Sequence, residues 1–224
     1  MAAAELHGRV AVVSPHLDDA VLSLGSAIAA ASRSRAIVRV VTVFAGDASS
    51  SLAPGEWDAR SGFGSAGEAA VARADEDDEA CTIVGAEPIR LPFPDEQYGG
   101  ERDAVAIRAA IEEALEGADT VLLPGFPLTH PDHAWVSQLF ADDVEAERLG
   151  LYVEQPYAIW AHQHPDGDGR TWTTLATTRR DQLKKLRACR AYRSQIAPIG
   201  GLRVILAVLA HEALRGGESI AWVV

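Results

Sequence analysis

Apolar runs and amphipathic stretches alternate along this chain in a regular order. Residues 10–13 (Val-Ala-Val-Val) are wholly apolar, and residues 21–30, rich in Leu, Ala, Gly and Ser, then read as a buried helix. Residues 36–44 are β-branched almost throughout, which suits a central strand parallel to the first. Helical pattern resumes at 68–84, with Gly85 as its stop, and a short strand follows at 88–91. Residues 103–117 form an alanine-rich amphipathic helix with Ile107, Ile111 and Leu115 on one face. A strand at 120–123, a helix from 134 to about 148 and a strand at 150–154 continue the series. Such repeated β-α alternation predicts an α/β protein: a Rossmann-like, doubly wound, mostly parallel sheet with helices on both faces.

Two segments lack periodicity. Residues 45–67 are rich in Gly, Ser and Pro, and a loop that long in a compact domain is functional or disordered; Trp57 and Phe63 argue for function. Residues 160–172 read as a loop or hairpin near the pocket, in which His162 and His164 have no matching third ligand and belong to a solvated loop. A basic helix at 179–193, a last helix at 202–214 and a final strand at 219–224, entered through Gly216-Gly217, complete the chain.

At 224 residues and 48% hydrophobic content the chain can bury a full core, so one domain over residues 1–224 is expected. No apolar run reaches about 18 residues and the start has no basic-then-apolar leader, which points to a cytoplasmic protein without membrane insertion. The net charge of −12 and the scattered basic residues argue against nucleic acid as a partner. Both cysteines, Cys81 and Cys189, lie inside apolar helical patterns and read as core thiols.

The candidate chemistry sits where two strands end. Ser14-Pro15-His16-Leu17-Asp18-Asp19 follows the first strand, and Leu128-Thr129-His130-Pro131-Asp132-His133 follows the strand at 120–123; each opens a helix. His16 and Asp19 can converge on one point, but a catalytic zinc takes three protein ligands and leaves a position open, so a third is needed from elsewhere. If both strands are parallel members of one sheet, their carboxyl ends face the same crevice, where such sheets bind ligands. Each motif alone also reads as ordinary helix-start chemistry, an acidic N-cap cluster or a turn. Those readings do not explain why both follow buried strands at corresponding places.

These paired motifs, with Trp57-Asp58 and Arg73-Ala74-Asp75-Glu76, resemble the PIG-L/LmbE family of zinc-dependent N-acetylglucosaminyl deacetylases from about Val10 to about Gln195. The resemblance implies His16, Asp19 and His133 as ligands of Zn2+, Asp18 as general base and His130 as electrophilic or acid partner. It also implies that Arg73 contacts substrate. A guanidinium suits sugar hydroxyls or a phosphate, although Arg73 also has Glu76 and Asp77 within helical reach. Asp95 could bind sugar hydroxyls and Trp57 could stack on a sugar face, or each could merely hold its loop. Asp132 could hold His130 or His133 in the right tautomer.

Three departures from the family pattern stand out: Leu17 and Ala20 replace a proline and a glutamate of the usual first motif, neither in a ligand or base role, and Leu128 stands where thiol-precursor relatives often carry tyrosine. The expected activity is removal of acetyl from an N-acetylated amino sugar, a small-molecule substrate such as a natural-product or antibiotic precursor. The composition is compatible with a homo-oligomer. The competing reading is a catalytically inactive Rossmann-like module that binds a sugar or nucleotide; no Gly-x-Gly-x-x-Gly fingerprint follows either early strand.

Overall fold

The structure, a computed structural model, describes residues 4–140 and 146–223. Its elements run β1 (Arg9–Ser14), α1 (Asp19–Arg33), β2 (Ile37–Thr42), α2 (Glu56–Arg60), α3 (Ala66–Val84), β3 (Glu87–Arg90), α4 (Ala104–Leu115), β4 (Thr120–Phe126) and α5 (Pro131–Leu139). They continue with β5 (Arg148–Val153), α6 (Tyr157–Trp160), β6 (Trp172–Thr174), α7 (Arg179–Cys189), α8 (Arg193–Ile196), α9 (Leu202–Leu214) and β7 (Ser219–Trp222). Single 3₁₀ turns lie at Glu96–Tyr98 and Pro165–Gly167. The strands form one sheet in the order β3-β2-β1-β4-β5-β7-β6. β1 to β5 are mutually parallel, and β7 runs antiparallel to both β5 and β6.

From β1 the chain winds outward one way to β2 and β3, and it returns on the other side through β4 and β5. The reversal lies between β1 and β4, paired Val10 to Thr120 and Val12 to Leu122. A crevice at the carboxyl ends of that pair is where an open α/β sheet binds its ligand.

Strand alternation builds a core on each face of the sheet. Val10 and Val12 of β1 pack with α1, α3, α7 and α9, while Ala11 and Val13 face the opposite cluster of Ile107, Ile111 and Leu115 from α4 and Val136 from α5. Helix α1 is buried from Asp19 to Ala31, which accounts for its small residues. At Gly25 a Cβ would lie only 2.9 Å from Cγ of Lys185, so glycine is needed for α7 to approach. The Lys185 ammonium is fully buried and donates to Glu212 at 2.5 Å and Glu218 at 2.7 Å.

Lys185 can balance one of these two carboxylates, and burial pushes the other, Glu212, up to about 8 despite the ammonium beside it. Between the ordinary glutamate value near 4.5 and about 8 the folded chain therefore binds a proton there that the unfolded chain has released. This contribution to stability is complete below pH 4.5 and is lost as pH rises toward 8. Urea unfolding of the native protein and Glu212→Gln across that range should show a steeper decline for the native chain; parallel curves would remove Glu212 as the cause.

The expected order of elements is present, with several corrections. The loop at 45–67 contains α2, and α3 begins at Ala66, where Ser65 caps it by accepting from the Glu68 amide. The helix expected to reach about 148 ends at Leu139, because Arg148 and Leu149 are needed in β5, where they pair with Thr120 and Val121 of β4. Its expected course through residues 141–145 lies outside the described residues. The basic helix ends at Cys189 and restarts as α8 at Arg193. A strand unanticipated from the sequence, β6, pairs with β7 at the sheet edge; β7 itself ends at Trp222, and Val224 lies outside the described residues.

Candidate metal centre

Three strand ends deliver the site. After β1, Ser14 Oγ accepts from the Ala20 amide at 3.0 Å and donates to the His16 carbonyl, which ties the turn into α1. The Asp19 carboxylate folds back to accept from the His16 amide at 2.8 Å. After β4, Pro131 takes the first position of α5, where its missing N–H costs nothing, and His133 falls on the buried side of that first turn. After β5 comes Glu154, also buried. α1 and α5 both point their positive N-termini into this crevice.

Here His16, Asp19 and His133 meet. Nδ1 of His16 lies 3.2 Å from Asp19 Oδ2, Nε2 of His133 lies 3.1 Å from the same oxygen, and the two nitrogens are 3.2 Å apart. Donor atoms sharing a tetrahedral zinc at 2.0–2.1 Å lie about 3.3 Å apart, so this triangle has the size of one face of such a site. Two nitrogens and one carboxylate oxygen form a donor set suited to a catalytic zinc, with the fourth position left open.

Each histidine is steered by a carboxylate behind it. Nε2 of His16 contacts Asp132 Oδ2 at 2.9 Å, and Nδ1 of His133 contacts Glu154. Such contacts fix which ring nitrogen offers its lone pair to a metal. Burial alone would depress both imidazoles, yet Asp132 and Asp19 raise His16 to about 9, and Asp19 and Glu154 raise His133 to about 10. Burial works against the ionised Asp19 as well, but the two histidines hold it well below the usual carboxylate range. The centre thus favours positive charge at its focus.

Asp132 is placed differently from the sequence expectation: its carboxylate serves His16, not His130 or His133. What His130 receives is the Asp132 backbone amide, which donates to His130 Nδ1 at 3.2 Å and makes this histidine the N-cap of α5. With Nδ1 accepting, the hydrogen of a neutral ring is on Nε2. Burial, then the neighbouring His16 and His133, push His130 down to about 4, so it stays neutral. Asp18 stands at the N-cap position of α1 but makes no side-chain capping bond. Burial and the charge of Asp19 raise its carboxyl to about 7, against the pull of His16.

Of the three expected substrate contacts, Arg73 and Asp95 line adjoining cavities, and Trp57 lines neither of these two. Phe44, whose ring is 6.0 Å from that of His16, borders a cavity of about 250 Å³ that also touches Asp58, Arg73 and Tyr98. Arg73 is buried and pairs with Asp58, not with Glu76 or Asp77. Asp95 is half-buried, holds the backbone and side-chain amides of Gln97, and lines a wider neighbouring groove. Trp57 is half-buried on α2 with the Arg60 guanidinium 5.5 Å from its ring. His162 and His164 are exposed and, among the described residues, belong to neither group that could hold a metal ion, His16-Asp19-His133 or His16-His130-Asp132. Both cysteines are buried, and burial pushes the thiols up, Cys189 to about 12.

Sequence reasoning missed Glu154, Arg102 and Tyr157. Glu154 closes the expected strand at 150–154 and so could have been found by asking which ionisable residues end the other parallel strands. Arg102 pairs with Asp132, and the Tyr157 ring lies 4.8 Å from that of His133. Neither has a local signature in the sequence.

Among solved structures, the A40926 pseudoaglycone deacetylase Dbv21 is 29% identical, with a TM-score of 0.78 and 96% of each chain covered. The zinc-inhibited form of the teicoplanin deacetylase Orf2 is 22% identical, with a TM-score of 0.83 over 96% of this chain and 98% of that one. GalB, the 4-carboxy-2-hydroxymuconate hydratase from Pseudomonas putida, shares the fold at 18% identity and a TM-score of 0.64 over 97% and 96% of the two chains. No curated protein matches the sequence. Residues 11–143 match the PIG-L family, described as GlcNAc-PI de-N-acetylase, and include both the His16-Asp19 and the His130-His133 motifs. With that match over more than half its length, the chain belongs to the PIG-L family.

Proposed function

We propose that the protein is a zinc-dependent hydrolase that removes the acetyl group from an N-acetylated amino sugar, of the kind borne by a natural-product or antibiotic precursor. The observation that carries this reading is the triangle of His16 Nδ1, Asp19 Oδ2 and His133 Nε2 at the sheet's switch point. A zinc ion held there supplies a Lewis acid that acidifies water and polarises the amide carbonyl.

The remaining steps belong to side chains. Asp18 accepts the proton of the attacking water and passes it to the departing amine, so the amide C–N bond breaks with acetate and a free amino sugar as products. His130, neutral with its hydrogen on Nε2, donates to the oxygen that gains charge as the carbonyl becomes tetrahedral. Arg73 and Asp95 contact the sugar from the walls of the two grooves, and Trp57 offers an aromatic face beside them.

A fold that also hosts a hydratase does not choose the chemistry, so the test addresses the site. Zinc content of the purified protein is measured together with acetate release from a panel of N-acetylglucosaminyl compounds, glycopeptide precursors included. About one zinc per chain with acetate release is the expected result. Zinc without acetate turns the search to larger glycosylated substrates, and absence of zinc after supplementation overturns the proposal in favour of the binding module.

A further inference from the structure

Arg102 lies on none of the elements that bring His16, Asp19 and His133 together, yet its side chain is only 23% exposed and pairs with Asp132 behind His16. Its guanidinium sits 4.5 Å from the Phe44 ring centre and 5.1 Å from that of Trp135, and it pairs with Asp132 Oδ1. Asp132 is fully buried, and its other oxygen meets His16 Nε2 at 2.9 Å and the Glu96 amide at 3.4 Å. A continuous line therefore runs from Arg102 through Asp132 to His16.

We propose that Arg102 is a positioning residue of the metal centre: set over the Phe44 and Trp135 rings, it holds the Asp132 carboxylate so that His16 turns Nδ1 toward the ion. The proposal rests on the reading of His16 as a ligand. A buried carboxylate that loses its cation no longer has a fixed orientation, and His16 is then free to rotate or exchange tautomer. Its lone pair then leaves the focus of the triangle. Arginine suits this role because a planar guanidinium can stack on rings while directing N–H groups edgewise at a carboxylate; a lysine ammonium keeps the charge but not the plane.

The test is zinc affinity, read by competition with a chromogenic chelator on the full chain, for the native protein, Arg102→Met, Arg102→Lys and His16→Ala. Removing a group that orients a metal ligand typically weakens binding about 10–100-fold. Arg102→Met should fall in that range, with an altered visible spectrum of the cobalt-loaded protein, and Arg102→Lys should recover part of the loss. Folded Arg102→Met that binds zinc within about threefold of native overturns the proposal. If Arg102→Met does not fold, Arg102→Lys decides: a loss beyond about threefold supports positioning, and a smaller one overturns it. Native-like zinc binding by His16→Ala would instead reject the metal-site reading, which keeps the two failures distinct.

Discussion

Asp18→Asn should lower acetate release by about 10²–10⁴-fold while zinc content stays unchanged. Asparagine keeps the shape of the side chain but cannot accept the proton. Asp18 lies at the start of α1 next to Asp19, yet only Asp19 joins the triangle of donor atoms, so the metal should not register the change. Burial and the charge of Asp19 raise Asp18 to about 7. A base must be ionised to act, so the native rate should climb as pH rises through its ionisation, and a cation at the triangle moves that limb to lower pH. Residual turnover in Asp18→Asn should lack the limb. Loss of zinc along with activity would make Asp18 a ligand, and retention of both would assign the base elsewhere.

Periodicity made the central architecture legible, because strands buried on both faces and helices with one apolar stripe leave strong local patterns. The same patterns placed His16, Asp19, His130 and His133 at matching strand ends. What was hidden depends on contacts far apart in sequence. Asp132 adjoins His133 in the chain, but successive residues of a helix point about 100° apart. Its carboxylate therefore reaches across to His16 at the end of β1. Arg73 has acidic neighbours at helical spacing, yet it pairs with Asp58 because α2 folds the long loop back onto α3. Glu76 is meanwhile taken by the amide and hydroxyl of Ser194. β6 is a three-residue strand whose existence depends on β7, and nothing in Trp172-Thr173-Thr174 announces the pairing.

Lys185→Met should destabilise the protein by about 3–5 kcal/mol, because removing one partner of a buried ion pair leaves charge uncompensated in the core. For a chain of this size that corresponds to a fall in thermal midpoint of roughly 6–20 °C. Glu218 is buried, accepts from the Ser26 and Ala27 amides of α1 at 2.9 and 2.6 Å, and meets the Lys185 ammonium at 2.7 Å. Burial pushes its partner Glu212 up to about 8, so Glu218 is the carboxylate that Lys185 balances. Methionine preserves much of the side-chain volume and still passes over Gly25, so the cost is electrostatic, not a packing void. The triple variant Lys185→Met, Glu212→Gln, Glu218→Gln removes both signs together and should recover most of the loss in urea unfolding at pH 7. A single variant within about 1 kcal/mol of native would show that Lys185 does not balance Glu218. A triple variant as weak as the single one would assign the cost to packing around Gly25.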